Sequence, residues 1–340
     1  MNYVKQGDSL QLLDEVEDKS IQTIYFDPPF KSQKVYVMSP DDETGFPDVW
    51  SSNKEYMDFV EPLVIKCKSK LTDDGSFFFH ISAKEMFLPE AICRKHFKLV
   101  QPIFWKRSRS KNNTKNKLGE AIDIIFWCSN NKKPKFNMVY QELDRYYAEN
   151  SYKNKDSRGN YALGHIVYTK TQKTNNPDRL YQVVHDGVVY NPENGWRMSK
   201  EDLEGLISEG RVHFPKNKGI RADSLEYGPQ NKDVEDWWRK SPNPYKKIYQ
   251  HESKGKPCMN LWDDVHSIAM GNEGRLYPTE KPEKLLERII LMTSDEGDIV
   301  LDPVAGSGTT GFVAKELGRD FIMFDINPDA VEIMKKRLYK

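Results

Sequence analysis

The sequence predicts an α/β protein with a largely parallel sheet, interrupted by a segment of different composition. Three observations support this fold class. Short apolar runs alternate with helical patterns up to about residue 145, which is typical of strands covered by helices. The alternation resumes at about residue 259, and the residues in between are rich in Asn, Lys, Tyr, Gly and Pro. A chain of 340 residues can form one large domain with such an insertion.

The N-terminal part contains three short apolar runs that we expect to be buried strands, namely Ile21–Phe26, Ser76–Ile81 and Ile122–Cys128. Between the first two, Lys54–Lys70 places its apolar residues at helical spacing. The C-terminal part repeats this pattern. Its expected elements are a helix opened by Pro282, a strand at Ile299–Leu301, a Gly-rich turn, a helix ending at Gly318, a strand at Phe321–Phe324 and a helix at Pro328–Leu338. This part is too short to bury a sheet alone, so it should complete the N-terminal one.

The inserted segment, residues 146–258, has one clear helix pattern at Ser199–Glu209 and few runs that resemble buried strands. We therefore expect a separate domain with its own function. Trp196 and Trp237 in this segment are expected to form a small core rather than to stack on bases.

Composition excludes several classes of protein. Lys plus Arg total 51, as do Asp plus Glu, so any cationic surface must be local. The 38% hydrophobic content excludes wholesale disorder. No apolar run reaches the length of a signal peptide or a membrane span, so we expect a soluble cytoplasmic protein without a membrane partner. The four cysteines and seven histidines lack metal-ligand spacing, and no metal site is expected.

A glycine-rich turn between a predicted strand and helix is the first candidate site. Gly306, Gly308 and Gly311 satisfy the spacing G-x-G-x-x-G, and Asp325 ends the next strand. Such turns allow a nucleotide-like ligand close to the backbone, and the distal acid accepts hydrogen bonds from ribose hydroxyls. The pattern fits a nicotinamide dinucleotide or S-adenosylmethionine. Asp302 favours the latter, because a carboxylate repels a pyrophosphate and suits an ammonium group.

A second motif follows the strand Ile21–Phe26 and consists of Asp27, Pro28, Pro29 and Phe30. Two consecutive prolines fix the backbone and cannot continue the strand ladder. They hold a carboxylate, a carbonyl and an aromatic ring at the carboxyl edge of the sheet, where open α/β folds bind ligands. Alone, the motif could equally be a rigid turn with Phe30 in the core.

Together these motifs resemble the amino-methyltransferases of DNA, which modify adenine N6 or cytosine N4 and carry a D/N/S-P-P-Y/F/W signature. The motif order resembles the β group of that family. Residues 277–282 (Y-P-T-E-K-P) are similar to its H-P-T-Q-K-P element, with Tyr and Glu as departures, and Gly7–Ser9 is similar to its G-D-S segment. Residues 156–159, 195–200 and 261–265 also resemble segments of type II and type III modification methylases.

The resemblance implies a Rossmann-like S-adenosylmethionine methyltransferase sheet with a permuted chain order. Residues 1–145 and 259–340 would form this catalytic domain together, and residues 146–258 would be an inserted target-recognition domain. The implied reaction transfers a methyl group from S-adenosylmethionine to adenine N6 in a specific sequence of duplex DNA, after base flipping. Asp at position 27 favours adenine, because cytosine-N4 relatives usually carry Ser there. The alternatives are cytosine-N4 methylation and a catalytically silent DNA-recognition subunit.

The resemblance also implies residue roles. Asp27 and the Pro28 carbonyl would accept the two amino protons of the target base, and Phe30 would stack on it. Asp8 would contact the cofactor adenine, and Asp325 its ribose. The implied cofactor-binding residues are Asp8, Thr279, Lys281, Asp302, Ala305, Gly306, Ser307, Gly308, Thr309, Thr310 and Asp325.

The neutral total hides a local excess of positive charge. Residues 103–175 hold 15 Lys or Arg against 6 Asp or Glu, and 105–117 hold six cations and no acid. Such a segment could follow DNA phosphates, although a solvated charge run has the same composition. The expected DNA-binding residues are Lys106, Arg107, Arg109, Lys111, Lys115, Lys117, Arg158 and Arg197. The partners implied are double-stranded DNA, a cognate restriction endonuclease and a second copy of the chain.

Three further interpretations concern single features. Residues 31–53 could be a lid over the site or a long surface loop. Pro257-Cys258 is the dipeptide of cytosine-C5 methyltransferases, but its position before the cofactor turn favours an ordinary thiol. A nicotinamide-dependent oxidoreductase could use the same glycines but would leave Asp27–Phe30 unexplained.

Overall fold

The computed structural model describes residues 2–37, 45–107, 116, 118–143, 145–215, 220–221, 243–267 and 279–339. The chain forms two compact units. The first unit comprises Met1–Gln141 with Pro257–Lys340, and the second comprises Glu142–Lys256. The recognition role that the sequence assigns to residues 146–258 stays a prediction.

The elements are numbered in chain order. The strands are β1 (Tyr3–Gln6), β2 (Ile21–Phe26), β3 (Lys34–Val37), β4 (Gly45–Asp48), β5 (Leu71–Ser82), β6 (Leu99–Lys106), β7 (Ile122–Ser129), β8 (Tyr140–Gln141), β9 (Asn154–Asp156), β10 (Gly159–His165), β11 (Val183–His185), β12 (Val188–Tyr190), β13 (Val212–His213), β14 (Ile220–Arg221), β15 (Tyr245–Tyr249), β16 (Lys256–Pro257), β17 (Leu261–Trp262), β18 (Ile299–Asp302) and β19 (Asp320–Asp325). The helices are α1 (Ser9–Leu12), α2 (Asn53–Lys70), α3 (Phe87–His96), α4 (Arg145–Ser151), α5 (Lys200–Ser208), α6 (Glu283–Thr293), α7 (Thr309–Glu316) and α8 (Pro328–Leu338).

The first unit is built on a sheet with the strand order β1-β19-β18-β2-β5-β7-β6-β17. Strand β7 runs antiparallel to β5 and β6. Strands β1, β19, β18, β2 and β5 are parallel to their neighbours in that order. Their carboxyl ends therefore meet at one edge, which places residues from both chain ends side by side.

Helices cover both faces of this sheet because each presents an apolar face to it. Central strand β2 is buried at all six positions. On one face α2 buries Tyr56, Val60 and Val64, and its first turn is capped by Ser52. On the other face α6 buries four fully enclosed side chains. These side chains are Leu285, Leu286, Ile289 and Ile290.

The helix and strand boundaries predicted from the sequence agree closely with those in the structure. They differ where the pattern of apolar and polar residues does not mark the end of an element. Strand β5 begins at Leu71 rather than at Ser76, where the sequence predicts its start. The polar residues before Ser76 also belong to the strand, although the register of its pairing with β2 shifts within them. Helix α7 ends at Glu316 rather than Gly318, whose positive φ of 74° leaves the helical region.

The second unit contains short strands and a small core. Its sheets have the orders β13-β15-β10-β9 and β11-β12-β14. Trp196 is fully buried in the core, as the sequence predicts. Its partners there are Ile166, Val167, Val183, Tyr190, Leu203 and Val212. Trp237 lies outside the residues that the structure describes. Across the residues that the structure describes, no helix is long and apolar enough to span a membrane.

Candidate active site

A cavity of about 540 Å³ opens at the carboxyl edge of the sheet in the first unit. It brings together acids that follow different strands, namely Asp8 after β1, Asp27 after β2, and Asp302 and Asp325 at the ends of β18 and β19. The sequence-assigned residues that line it are Asp8, Asp27, Pro28, Pro29, Phe30, Thr279, Lys281, Asp302, Ala305, Gly306, Ser307, Thr309, Thr310 and Asp325.

The glycine-rich turn bounds one side of this cavity. Gly306 and Gly308 have φ values of 52° and 75°, which favour glycine. Gly308 is the one assigned turn residue that does not line the cavity. A Cβ there would lie 2.6 Å from Cγ of Met334 in α8. The second glycine therefore allows the turn to pack against α8.

Asp302 is the most enclosed of the four acids, with 2% of its surface exposed. The Thr310 hydroxyl donates to its Oδ2 at 2.6 Å, and the Val304 amide donates to its Oδ1 at 3.1 Å. Burial raises the pKa of Asp302 to about 7, against these two hydrogen bonds, which lower it. A buried carboxyl group with two donors and no cation among its hydrogen-bond partners favours a positively charged ligand group.

Asp325 and Asp8 join the turn to the neighbouring strands. The Gly306 and Asn327 amides each donate to the Asp325 carboxylate at 2.8 Å, and burial raises the pKa of this acid. Asp8 caps α1 by accepting from the Leu10 amide at 2.7 Å. Carboxylates of this kind have lone pairs left for ribose hydroxyls or an adenine amino group.

The motif Asp27–Phe30 forms the opposite wall. The Lys281 ammonium pairs with Asp27 Oδ2 and lies 5.2 Å from the centroid of the Phe30 ring. The other carboxylate oxygen, Oδ1, is buried and has no hydrogen-bond partner in the described part of the chain. Tyr56 donates its hydroxyl proton to the Pro29 carbonyl at 3.0 Å, which fixes the turn. Lys281 thus contacts Asp27 and Phe30, which the sequence predicts to be catalytic, although the sequence predicts Lys281 itself to bind the cofactor.

A buried carboxylate that the sequence analysis missed organises the loop after this motif. Asp48 accepts from the amides of Lys31 and Ser32 at 2.8 and 2.7 Å, and from the Trp50 indole at 3.0 Å. Lys31 and Gln33 have φ values of 57° and 58° without being glycine. Strands β3 and β4 form a hairpin here, and part of the suggested lid, residues 38–44, lies outside the described residues.

The predicted DNA-binding residues are only partly described. Lys106 is exposed at the end of β6. Arg107 Nε lies 3.0 Å from Asp123 Oδ1, and thus forms an ion pair within the protein. In the second unit, Arg158 donates to the Glu209 carbonyl. Arg197, also exposed in that unit, donates to Gln172 and lies 5.6 Å from the Tyr168 ring centroid. Arg109, Lys111, Lys115 and Lys117 lie outside the described residues.

The Cys258 thiol does not have the features of a nucleophile. Partial burial raises its pKa, so the reactive thiolate is disfavoured. Within the described ranges, no group of three or more His, Cys, Asp or Glu residues has an arrangement that could hold a metal ion.

An open sheet of mainly parallel strands, with a glycine-bounded acidic cavity at its carboxyl edge, is the architecture of a Rossmann-like fold that binds a nucleotide-like ligand there. Residues 21–336 match the N6/N4 methyltransferase family, described as DNA methylase. The chain therefore belongs to this family of DNA methyltransferases. Its cofactor is S-adenosylmethionine, and the buried Asp302, the other acids of the cavity and the positive-φ glycines fit that group, because it carries a sulfonium, an ammonium and a ribose.

Two curated relatives extend over almost the whole chain. The type II methyltransferase M.EcaI of Enterobacter cloacae is 26% identical over 332 residues, which are 95% of this chain and 65% of the relative. The DNA adenine methyltransferase YhdJ of Escherichia coli K12 is 26% identical over 98% of this chain and 81% of the relative. The chain thus spans less than two thirds of the length of M.EcaI.

A solved structure supports the fold. The cytosine-N4-specific PvuII DNA methyltransferase superposes with a TM-score of 0.52 at 18% identity. The alignment covers 99% of this chain and 86% of that protein. At this identity the likeness concerns the fold and not the target base.

Proposed function

We propose that this protein transfers a methyl group from S-adenosylmethionine to N6 of adenine in a specific sequence of duplex DNA. The observation that carries the proposal is Asp27, a carboxylate at the cavity wall with one buried oxygen that has no partner among the described residues. The adenine-methylating relative YhdJ supports the same choice of base.

The chemistry of an exocyclic amino group explains why such an oxygen is useful. The nitrogen is a poor nucleophile because its lone pair is delocalised into the ring. If Asp27 Oδ1 and the Pro28 carbonyl accept its two protons, the nitrogen can become tetrahedral and its lone pair becomes available. A base placed to make these bonds can stack on Phe30, which is half-buried at the cavity wall.

Lys281 occupies the position that such a base needs. Its ammonium donates to Asp27 Oδ2, which leaves Oδ1 for the amino group of the base, and it lies over the Phe30 ring, where the base is proposed to stack. The entering base therefore displaces the Lys281 ammonium from the Phe30 ring. The ion pair with Lys281 orients the Asp27 carboxylate.

The remaining cavity residues hold the cofactor in this proposal. Asp302 would face its ammonium group, Asp325 its ribose hydroxyls and Asp8 its adenine. Ala305, Gly306, Ser307, Thr309, Thr310 and Thr279 would enclose it. S-adenosylmethionine supplies an already activated methyl group, so the protein contributes chiefly orientation and electrostatics.

Target recognition is assigned to the second unit, with Arg158 and Arg197 as contacts and the segment 105–117 along the phosphates. The target base must leave the duplex to reach a cavity of this kind. The role would be restriction–modification or epigenetic marking in a prokaryote or virus. A cognate nuclease and a homodimer are part of the proposal only by analogy with relatives.

The test is incubation of the purified protein with S-adenosylmethionine and unmethylated plasmid, followed by nucleoside mass spectrometry. We expect N6-methyladenine from the wild type and at least a hundredfold less from Asp27→Ala, with cofactor binding retained. N4-methylcytosine would overturn the base assignment and keep the reaction. No methylated nucleoside would overturn the proposed activity and favour a silent recognition subunit.

A further inference from the structure

His80 lies next to the proposed catalytic motif Asp27–Phe30 and is not among the residues proposed to bind the target base or the cofactor. It is near the end of β5, where it pairs with Ile125 of β7, and it is completely buried. Its ring centroid lies 5.2 Å from that of Phe30 and 5.4 Å from that of Trp105. The ring is therefore fixed in place by packing.

Three polar groups face the two ring nitrogens. The Tyr25 hydroxyl oxygen lies 2.6 Å from Nδ1, and Asp27 Oδ1 lies 3.6 Å from the same nitrogen. On the other side, Asp123 Oδ2 lies 3.5 Å from Nε2. Arg107 pairs with the second oxygen of Asp123, Oδ1, at 3.0 Å.

These neighbours favour one position for the proton of the His80 ring. Burial and the nearby acids raise the pKa of Tyr25 well above its usual value, so its hydroxyl keeps its proton. That proton can be donated to Nδ1, which must then be the acceptor nitrogen of the imidazole. The ring proton is then on Nε2, which lies 3.5 Å from Asp123 Oδ2 and makes no hydrogen bond within the described residues.

The consequence falls on Asp27. When Nδ1 accepts the Tyr25 proton, Nδ1 has no proton of its own to donate to Asp27 Oδ1. This carboxylate oxygen therefore has no hydrogen-bond partner in the described structure. In the opposite tautomer, Nδ1 would carry a proton that the Tyr25 oxygen at 2.6 Å accepts first, with Asp27 Oδ1 at 3.6 Å as a weaker second acceptor for which this proton competes with the target base. Buried acceptors without partners are rare in native structures, and here the open position has a use.

We propose that His80 is a positioning residue that keeps Asp27 Oδ1 free for the amino group of the target base, with Tyr25 and Asp123 setting its tautomer. This inference rests on the proposed amino-methyl transfer. It also joins the catalytic motif to Arg107, at the start of the segment proposed to follow DNA phosphates.

The test uses Tyr25→Phe and Asp123→Asn, which leave the imidazole in place, because replacement of a fully buried His80 could unfold the protein. We expect each to slow single-turnover methyl transfer about tenfold, as one competing hydrogen bond would. Cofactor affinity and base flipping, followed by the fluorescence of 2-aminopurine at the target, should not change. The matched controls are Tyr181→Phe in the second unit and Asp264→Asn, whose carboxylate pairs with Arg288.

A direct readout is the long-range ¹H–¹⁵N spectrum of the full-length protein labelled in histidine. We expect the His80 proton on Nε2 in the wild type and a shift towards Nδ1 in Asp123→Asn. A wild-type proton on Nδ1, wild-type rates in both variants, or an equal loss of cofactor binding would each overturn the inference. These results differ from failure of the proposed function, in which the wild type itself yields no methylated nucleoside.

Discussion

The two units of this protein differ in how their sequence relates to their structure. The first has strands of up to twelve residues, two large apolar clusters and acids at the ends of parallel strands. The second has described strands of two to seven residues and a core of seven buried side chains. A regular sheet gathers chemically active residues at one edge, whereas an irregular unit distributes its surface groups over many short segments.

The difference predicts that damage to the second core leaves the cofactor site intact. Trp196→Ala removes a fully buried indole that stacks on Tyr181 and donates to its carbonyl at 2.8 Å. We expect a loss of about 3–5 kcal/mol from the stability of this unit. Calorimetry should show an early transition and weak DNA binding, with S-adenosylmethionine affinity unchanged. The exposed Val184→Ala is the control, and loss of cofactor binding would contradict the separation of the units.

A second prediction separates the proposed base-stacking ring from an ordinary surface ring. Phe30→Ala should reduce the rate of methyl transfer by about 10- to 100-fold, because stacking of a base on an aromatic ring contributes about 1–3 kcal/mol. Phe87→Ala, on the first turn of α3 with a 74% exposed ring, should have no effect. Single-turnover kinetics on duplex DNA measure both. Equal rates for the two variants would remove Phe30 from the target site.

A third prediction uses the pH dependence of cofactor binding. A cationic ligand binds the ionised form of Asp302, so affinity for S-adenosylmethionine should fall as the pH decreases through about 7, by up to tenfold per pH unit. In Asp302→Asn the affinity should be weaker and nearly independent of pH. Titration calorimetry from pH 5.5 to 8.5 checks this, with exposed Asp73→Asn as the control. A sloping Asp302→Asn profile would assign the proton elsewhere.

The raised pKa of Asp302 also predicts that the protein without cofactor is less stable at high pH than at low pH. The pKa of this carboxyl group is about 7 when folded and near 3.8 when unfolded, so between these values the folded state binds the proton more tightly. Stability without cofactor should therefore decrease as the pH rises through this window. Asp302→Asn should remove that slope in denaturant titrations.

The smallest effect is expected at the surface of the second unit. Arg158→Ala or Arg197→Ala should each weaken DNA binding a few-fold, and each lost phosphate contact should lower the slope of log K against log salt by about 0.9. Arg94→Ala, which breaks an exposed pair with Glu90 in the first unit, is the control. Affinities and salt slopes equal to wild type in both variants would remove Arg158 and Arg197 from the proposed DNA contacts.

The sequence predicted the α/β sheet and the wall residues of the cavity because local signals mark them. An apolar run ending in Asp27-Pro28-Pro29, or a strand followed by Gly306 and Gly308, has a distinctive composition within a few residues. Since parallel strands end at one edge, these segments could be placed together without coordinates.

The side chains that contact the cavity residues from behind could be identified only from the tertiary structure. His80 and Asp123 lie within apolar strands and have no ligand spacing, so nothing local marks them as neighbours of Asp27. The pairing of Lys281 with Asp27, and that of Asp48 with the loop amides, join residues far apart in the chain or across a hairpin. Such contacts depend on strand register and side-chain direction, which a sequence pattern does not specify. The sequence by itself therefore determined the family of chemistry, and packing determined how each carboxylate is held.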